Sequence, residues 1–143
     1  MAVDYLTAGT AWVVPAGVTS VQVECLGPGG RGFGAQTTGP FKSGGGGGAY
    51  AKKNALTVTP GATLAIQIGA ADSQADTWFS SSSTVLAKAG LNGTSAGGGA
   101  GGSSASCIGD VVASGGTGGT PAGSGTGAPG GGGGGAGGPA GAG

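Results

Sequence analysis

Few side chains in this sequence are equipped for chemistry. Histidine is absent, and the five carboxylates, Asp4, Glu24, Asp72, Asp76 and Asp110, form no pairing pattern suited to general acid and base work. A serine nucleophile would have no histidine to take its proton. Cys25 and Cys107 are the only cysteines and no CxxC occurs, so a zinc site would lack ligands. Both read as small buried hydrophobes, with a disulfide between them left open. Asp72 and Asp76 in "ADSQADTW" could touch a cation, but two such carboxylates more often belong to a solvated loop. Gly27, Gly29 and Gly32 match GxGxxG, yet "RGFGAQTTGPF" cannot open the helix that would meet a pyrophosphate, and no acid lies between Glu24 and Asp72. "GPFKSGGGGG" lacks the spacing of a phosphate loop. The chain is therefore expected not to be an enzyme, with no catalytic residue, cofactor or metal.

What remains is contact chemistry. "RGFGAQTTGPFKSG" places Arg31, Phe33, Phe41 and Lys42 in one glycine-rich loop, where aromatic and basic groups can anchor a sugar or protein surface. These four are the candidate receptor contacts. Trp78 and Phe79 are assigned instead to the core, and Asn92-Gly93-Thr94 to a turn rather than a glycosylation acceptor.

The elements that must position these residues are β-strands and glycine. Glycine contributes 40 of 143 residues, and only 7% of the chain is charged, with five basic and five acidic groups. Such a balance gives no field for a polyanion, so nucleic acid is not an expected partner. The hydrophobic share of 37% is too high for a disordered chain of this kind. "MAVDYLTAGT" has neither a basic nor an apolar leader region, and no run is long and apolar enough for membrane insertion. In "VTSVQVECL", Val21, Val23 and Cys25 alternate with polar residues, which turns Cys25 to the core. "AWVVPAG" gives a short run with Trp12 as an anchor, ended by a turn at Pro15 and Gly17. In "ALTVTPGATLAIQIGA" two alternating runs flank Pro60 and Gly61 and are expected to pair as a hairpin. "TWFSSSSTVLAKAG" and "SCIGDVVASGG" form a weak internal repeat, each expected to be a short hairpin leading into glycine. No window has a helical period.

The glycine is phased. Ala100 to Ser103, Ser114 to Thr117 to Thr120, and Ala136 to Pro139 each set one small residue before two glycines. Three residues is one turn of the polyproline II conformation, which has no internal hydrogen bonds. Two bare faces per turn let neighbours approach until backbone N–H meets C=O. A lone helix of this kind would stay a coil, because glycine carries the largest backbone entropy. The expectation is a packed bundle of polyglycine II helices; collagen is excluded by the pattern and its seven prolines.

Taken in order, Trp12, the "VPAGV" turn from Val14 to Val18, the five glycines before Ala49-Tyr50, the "VTPG" turn from Val58 to Gly61 and "GGAGGSSASCIGDVVASGGTGG" resemble the glycine-rich domain of bacteriophage tail fibre and adhesin proteins. The likeness runs from about Ala8 to the end. Cys25 and Cys107 depart from it, standing where that pattern has an ordinary apolar residue and a serine. It also usually includes a separate attachment region, which this sequence does not show.

The resemblance implies a protein made in the host cytoplasm and displayed on the virion surface. Loops on a stack of polyglycine II helices would meet a host surface receptor, protein or polysaccharide, while other virion proteins of the tail or capsid hold the base. A homo-oligomer is expected, first of all a trimer. The fold expected is mainly β: a small antiparallel β-sandwich-like domain over residues 1–90 with glycine loops, and a polyglycine II segment over 91–143 packing on it as one structural unit. Two other readings stand beside the adhesin: a capsid decoration or head-fibre protein, and an ice-binding bundle presenting Ser114, Thr117 and Thr120 in a row.

Overall fold

The computed structural model describes residues 2–34, 42–121 and 130–143. Seven strands form: β1 (Ala11–Val13), β2 (Ser20–Leu26), β3 (Tyr50–Thr57), β4 (Thr63–Gln67), β5 (Thr77–Phe79), β6 (Val85–Ala87) and β7 (Val111–Ala113). One 3₁₀ turn, Ser104–Ser106, is the only helical element among the described residues. The strands make two antiparallel sheets, β1-β4-β5-β6 and β2-β3-β7. The fold is therefore mainly β and sandwich-like, as the alternating runs predict.

The core lies between the sheets. Val23, Cys25 and Ala51 from one side meet Ile66, Phe79, Val85 and Ala87 from the other, with Trp12, Leu56 and Leu64 packed at the margin. Full burial of a side chain such as Ile66 or Phe79 stabilises by about 1.5–3 kcal/mol. The Trp12 and Phe79 rings sit 5.6 Å apart at a tilt of 56°. Trp78, next along β5, is half-buried on the other face.

The hairpin expected at Pro60-Gly61 does not form. β3 belongs to one sheet and β4 to the other, so the turn is an arch that carries the chain across the sandwich. Alternation fixes which face of a strand is buried and leaves its partner open. Leu56 and Leu64 thus both meet the core, from opposite sheets. The arch uses a turn in which Ala62 N–H donates to Thr59 O at 3.0 Å, with Gly61 at φ +79°, a dihedral that glycine adopts without strain. "VPAGV" makes a second arch of the same design, with Gly17 at φ +81° and Val18 N–H donating to Pro15 O. Val14, 1% exposed, locks the two arches together by donating to Ala62 O and accepting from Gly61 N–H.

The internal repeat diverges in the same way. Its first unit is a hairpin of β5 and β6. Its second is split: Ile108 bridges Leu86, while β7 joins β3. Both units nonetheless lead into glycine.

The glycine segments leave the sandwich and return to it three times. Segment I (27–33) runs out from β2 and segment II (43–49) returns to β3. Segment III (88–93) runs out from β6 and segment IV (97–102) returns. Segment V (114–120) runs out from β7 and segment VI (130–137) returns. Segment II is the axis. Its successive carbonyls, from residue 42 to 49, accept in strict rotation from VI, I and IV: Gly131, Phe33, Gly99, Gly134, Gly30, Gly102, Gly137 and Gly27. Its amides at Gly44 and Gly47 donate to segment V, and those at Gly46 and Ala49 to segment III. These bonds span 2.8–2.9 Å between heavy atoms, ordinary for N–H···O.

A repeat of three in every donor and acceptor series is the signature of a three-residue helix packed laterally. Further bonds link I with III, III with IV, IV with V, and V with VI, so five segments surround the sixth. No backbone bond links I with VI among the described residues. Within a mainly β fold, glycine thus builds structure through packing. Ala100, Thr117, Thr120 and Ala136, at third positions, are exposed, which is where side chains fit.

Candidate functional site

At the end of the bundle opposite the sandwich, Arg31 and Phe33 of segment I, Lys42 and Ser43 at the start of segment II, Gly93 of segment III, Gly119 of segment V and Gly131 and Gly132 of segment VI meet through backbone bonds. These ends and the middle turn, between segments III and IV, make the described tip. The middle turn is tight, with Thr94 and Gly97 bridged through paired backbone bonds.

Of the expected contact residues, the tip brings Arg31, Phe33 and Lys42 together; Phe41 lies outside the described residues. Their backbones are fixed by the array. Arg31 N–H donates to the Asn92 side-chain oxygen at 2.7 Å, and its carbonyl accepts from Gly93 N–H. Phe33 bridges Ser43, donating to its carbonyl at 2.8 Å. Lys42 O accepts from Gly131 N–H. Ser43, buried, adds a hydroxyl bond to Thr94 O at 2.8 Å and so ties the second segment to the middle turn. The side chains of Arg31 and Lys42 are exposed, and Phe33 retains 36% of its surface. Between them opens a shallow concavity of about 360 Å³, lined also by Gly32, Gly34, Ser43 and Gly131.

Asn92 and Ser43 are the positioning residues that sequence reading misses. Asn92 was legible only as part of a turn, and nothing local reveals that its side chain caps a segment 61 positions earlier. Ser114, one of the residues in the third-position row, directs its hydroxyl to Ser104 while Thr117 and Thr120 face solvent.

The remaining charges lie on the sandwich or its flank. Lys53 meets Asp110 at 2.7 Å, Lys52 meets Glu24 at 3.6 Å, and Lys88 meets Asp76. The Lys53 ammonium, helped by Asn54 N–H, holds the Asp110 carboxyl below its ordinary range. Cys25 and Cys107 are free thiols; burial pushes Cys25 up to about 11, and burial likewise raises Cys107. A thiol held protonated is a poor nucleophile. Among the described residues no helix is long and apolar enough to cross a membrane.

The described tip thus sets two cationic side chains and a half-exposed aromatic ring around one hollow. Comparison with protein-family models, with curated proteins and with solved structures returns no match for the chain.

Proposed function

We propose that this chain is a bacteriophage virion protein, a tail-fibre or tip adhesin that presents its glycine-bundle tip to a receptor on the host surface. The observation that carries this reading is the gathering of Arg31, Phe33 and Lys42 at the end of the glycine bundle opposite the sandwich. The β-sandwich supplies a base, the bundle a stalk of about 20 Å at the rise of the polyproline II conformation, and the tip a surface that can vary without disturbing either. A backbone already fixed by the array loses little further entropy on contact, which favours affinity at a small tip.

The test is adsorption. Purified protein added to host cells is expected to compete with intact particles, and the double variant Phe33→Ala/Phe41→Ala is expected to lose that competition while keeping its thermal midpoint. Competition undiminished by the double variant would remove these aromatics from the contact. Antibody label found over the head of intact particles, and not on the tail, would replace the adhesin with a capsid decoration protein.

A further inference from the structure

We infer that the tip concavity takes an anionic sugar unit of a surface polysaccharide, with Arg31 and Lys42 holding its phosphate or carboxylate and Phe33 its apolar ring face. This rests on the adhesin reading and names the chemistry of its receptor.

The first argument is charge placement. The chain has five basic side chains and five acidic ones, yet they are not evenly mixed. All three other lysines are engaged with carboxylates on the sandwich side: Lys52, Lys53 and Lys88. Arg31 and Lys42 have no ion pair among the described residues, and both line one concavity. Among the described residues no acid lines it with them. Asp4 accepts from the Trp12 indole, Glu24 and Asp110 lie on or beside the β2-β3-β7 sheet, and Asp76 holds Lys88. Asp72 sits beside Gly29, its N–H donating to that carbonyl, part-way down the stalk. A neutral chain thus carries two positive charges at its tip and a net two negative charges elsewhere. That separation steers an anion to the tip and repels it from the sides.

The second argument is shape and surface. Phe33 keeps more than a third of its area exposed inside a concavity whose other walls are glycine backbone, Ser43 and the two basic stems. An apolar disc flanked by cations suits a pyranose, whose C–H face is apolar and whose substituent is charged. The volume lies near the small end of the range of about 300–1,000 Å³ for ligand sites, the scale of one or two sugar rings. A guanidinium and an ammonium also differ usefully: the first pairs bidentately with a planar or tetrahedral oxyanion, and the second follows as a point charge.

A nucleic acid is the less suitable polyanion. Its binding draws on many phosphate contacts along a backbone, and here two cations stand over one hollow with a single described aromatic.

The experiment titrates the intact protein with glucose 6-phosphate, glucuronic acid and glucose, following amide shifts of Arg31 to Gly34 and Lys42 to Ser43. At least one charged sugar is expected to bind about tenfold or more tightly than glucose, the scale of a charge-assisted contact. Arg31→Gln/Lys42→Gln is expected to erase that preference, with Gly102 and Gly137 amides, which donate to Gly47 and Gly48 deeper in the bundle, unshifted as evidence of an intact array. Equal binding of all three sugars, or a preference that survives the double variant, overturns the inference. So does a short oligonucleotide that outcompetes the charged sugar. Host envelope polysaccharide, dephosphorylated in one arm and carboxyl-reduced in the other, then separates the two anion sources; loss of binding in one arm is expected, and full retention in both overturns the inference. Failure is distinguishable from failure of the adhesin reading. Protein that blocks particle adsorption equally well with and without the two cations leaves the adhesin standing and removes the anionic sugar.

Discussion

Segment II and the last glycine run, 130–138, have nearly the same composition and opposite physical requirements. Around segment II every position is occupied. A Cβ on Gly44 would run into the Gly132 carbonyl, on Gly45 into Gly30, on Gly46 into Ala100, on Gly47 into Gly135 and on Gly48 into Gly27, always backbone against backbone. In the last run a Cβ on Gly132 or Gly138 meets nothing within 4 Å, and one on Gly133 comes only to 4.0 Å of Gly45 O. Gly131 and Gly134, by contrast, are as crowded as the centre. Glycine content alone therefore says little. What matters is how many neighbours a turn of the helix has: five around Gly44 to Gly48 leave no room for any side chain, while a peripheral segment needs glycine only on the sides where neighbours touch.

The sharpest way to break that comparison is one methyl group in each place. Gly46→Ala cannot be relieved by a rotamer, since the clash is with the Ala100 carbonyl; a loss of about 3 kcal/mol or more is expected, a large share of a small domain's stability. Gly132→Ala is expected to change stability by about 1 kcal/mol at most and in the stabilising direction, because alanine narrows the unfolded ensemble. Urea midpoints of the two variants against the parent measure both. Similar losses at the two positions would mean that the last run is packed as tightly as the centre.

Amide hydrogen exchange sharpens the comparison without mutation. Gly44, Gly46 and Gly47 donate inside the bundle and are expected to exchange only on global opening. The last run should show a comb: Gly131, Gly134 and Gly137, which donate to Lys42, Gly45 and Gly48, protected, and exposed Gly132 and Gly133 fast. Uniformly coil-like rates over 130–137 would mean a tether, and uniform slowness a further layer of packing.

The two thiols report the same contrast through the core. With its thiol raised to about 11 and its side chain buried, Cys25 at pH 8 is thiolate in about one molecule in a thousand. Iodoacetamide is expected to modify the less buried Cys107 first and to reach Cys25 only through opening. Gly46→Ala should accelerate Cys25 labelling by more than about tenfold, and Gly132→Ala should leave it unchanged. Equal acceleration in both variants would show that the bundle and sandwich open independently of where the array is stressed.

How much of this was legible in the sequence follows from which physical signal is local. The period of three at Ser114, Thr117 and Thr120 foretold laterally packed glycine helices, because every turn must spare its bare faces for neighbours. The alternation in Val21, Val23 and Cys25 foretold the buried face. Pairing was not legible: Pro60-Gly61 makes an arch and a hairpin with the same residues, and the choice is made by Val14, far upstream. At the tip, Arg31, Phe33 and Lys42 could be singled out as exposed basic and aromatic groups on glycine. Their convergence on one hollow, and the support from Asn92 and Ser43, depend on the ends of segments I, II, III and VI meeting, a property of the assembled array.

The smallest expected effect concerns the junction where the chain enters β7, the strand that leads into segment V. Asp110 takes Lys53 on one oxygen and Asn54 N–H on the other, just before β7. Because its folded pKa is lowered, the contribution is present above the unfolded carboxylate value of about 3.9 and is lost as pH falls through the folded one. Asp110→Asn should therefore destabilise slightly near neutrality, and its thermal midpoint should converge on the parent's toward acid. The pair is open to solvent, so salt should weaken the difference. Glycine packing carries no proton, and the gap between Gly46→Ala and Gly132→Ala should stay constant across the same range. A gap that closed in acid would mean that the central segment depends on the Asp110 junction, and that the array is held by the sheet rather than by its own backbone bonds.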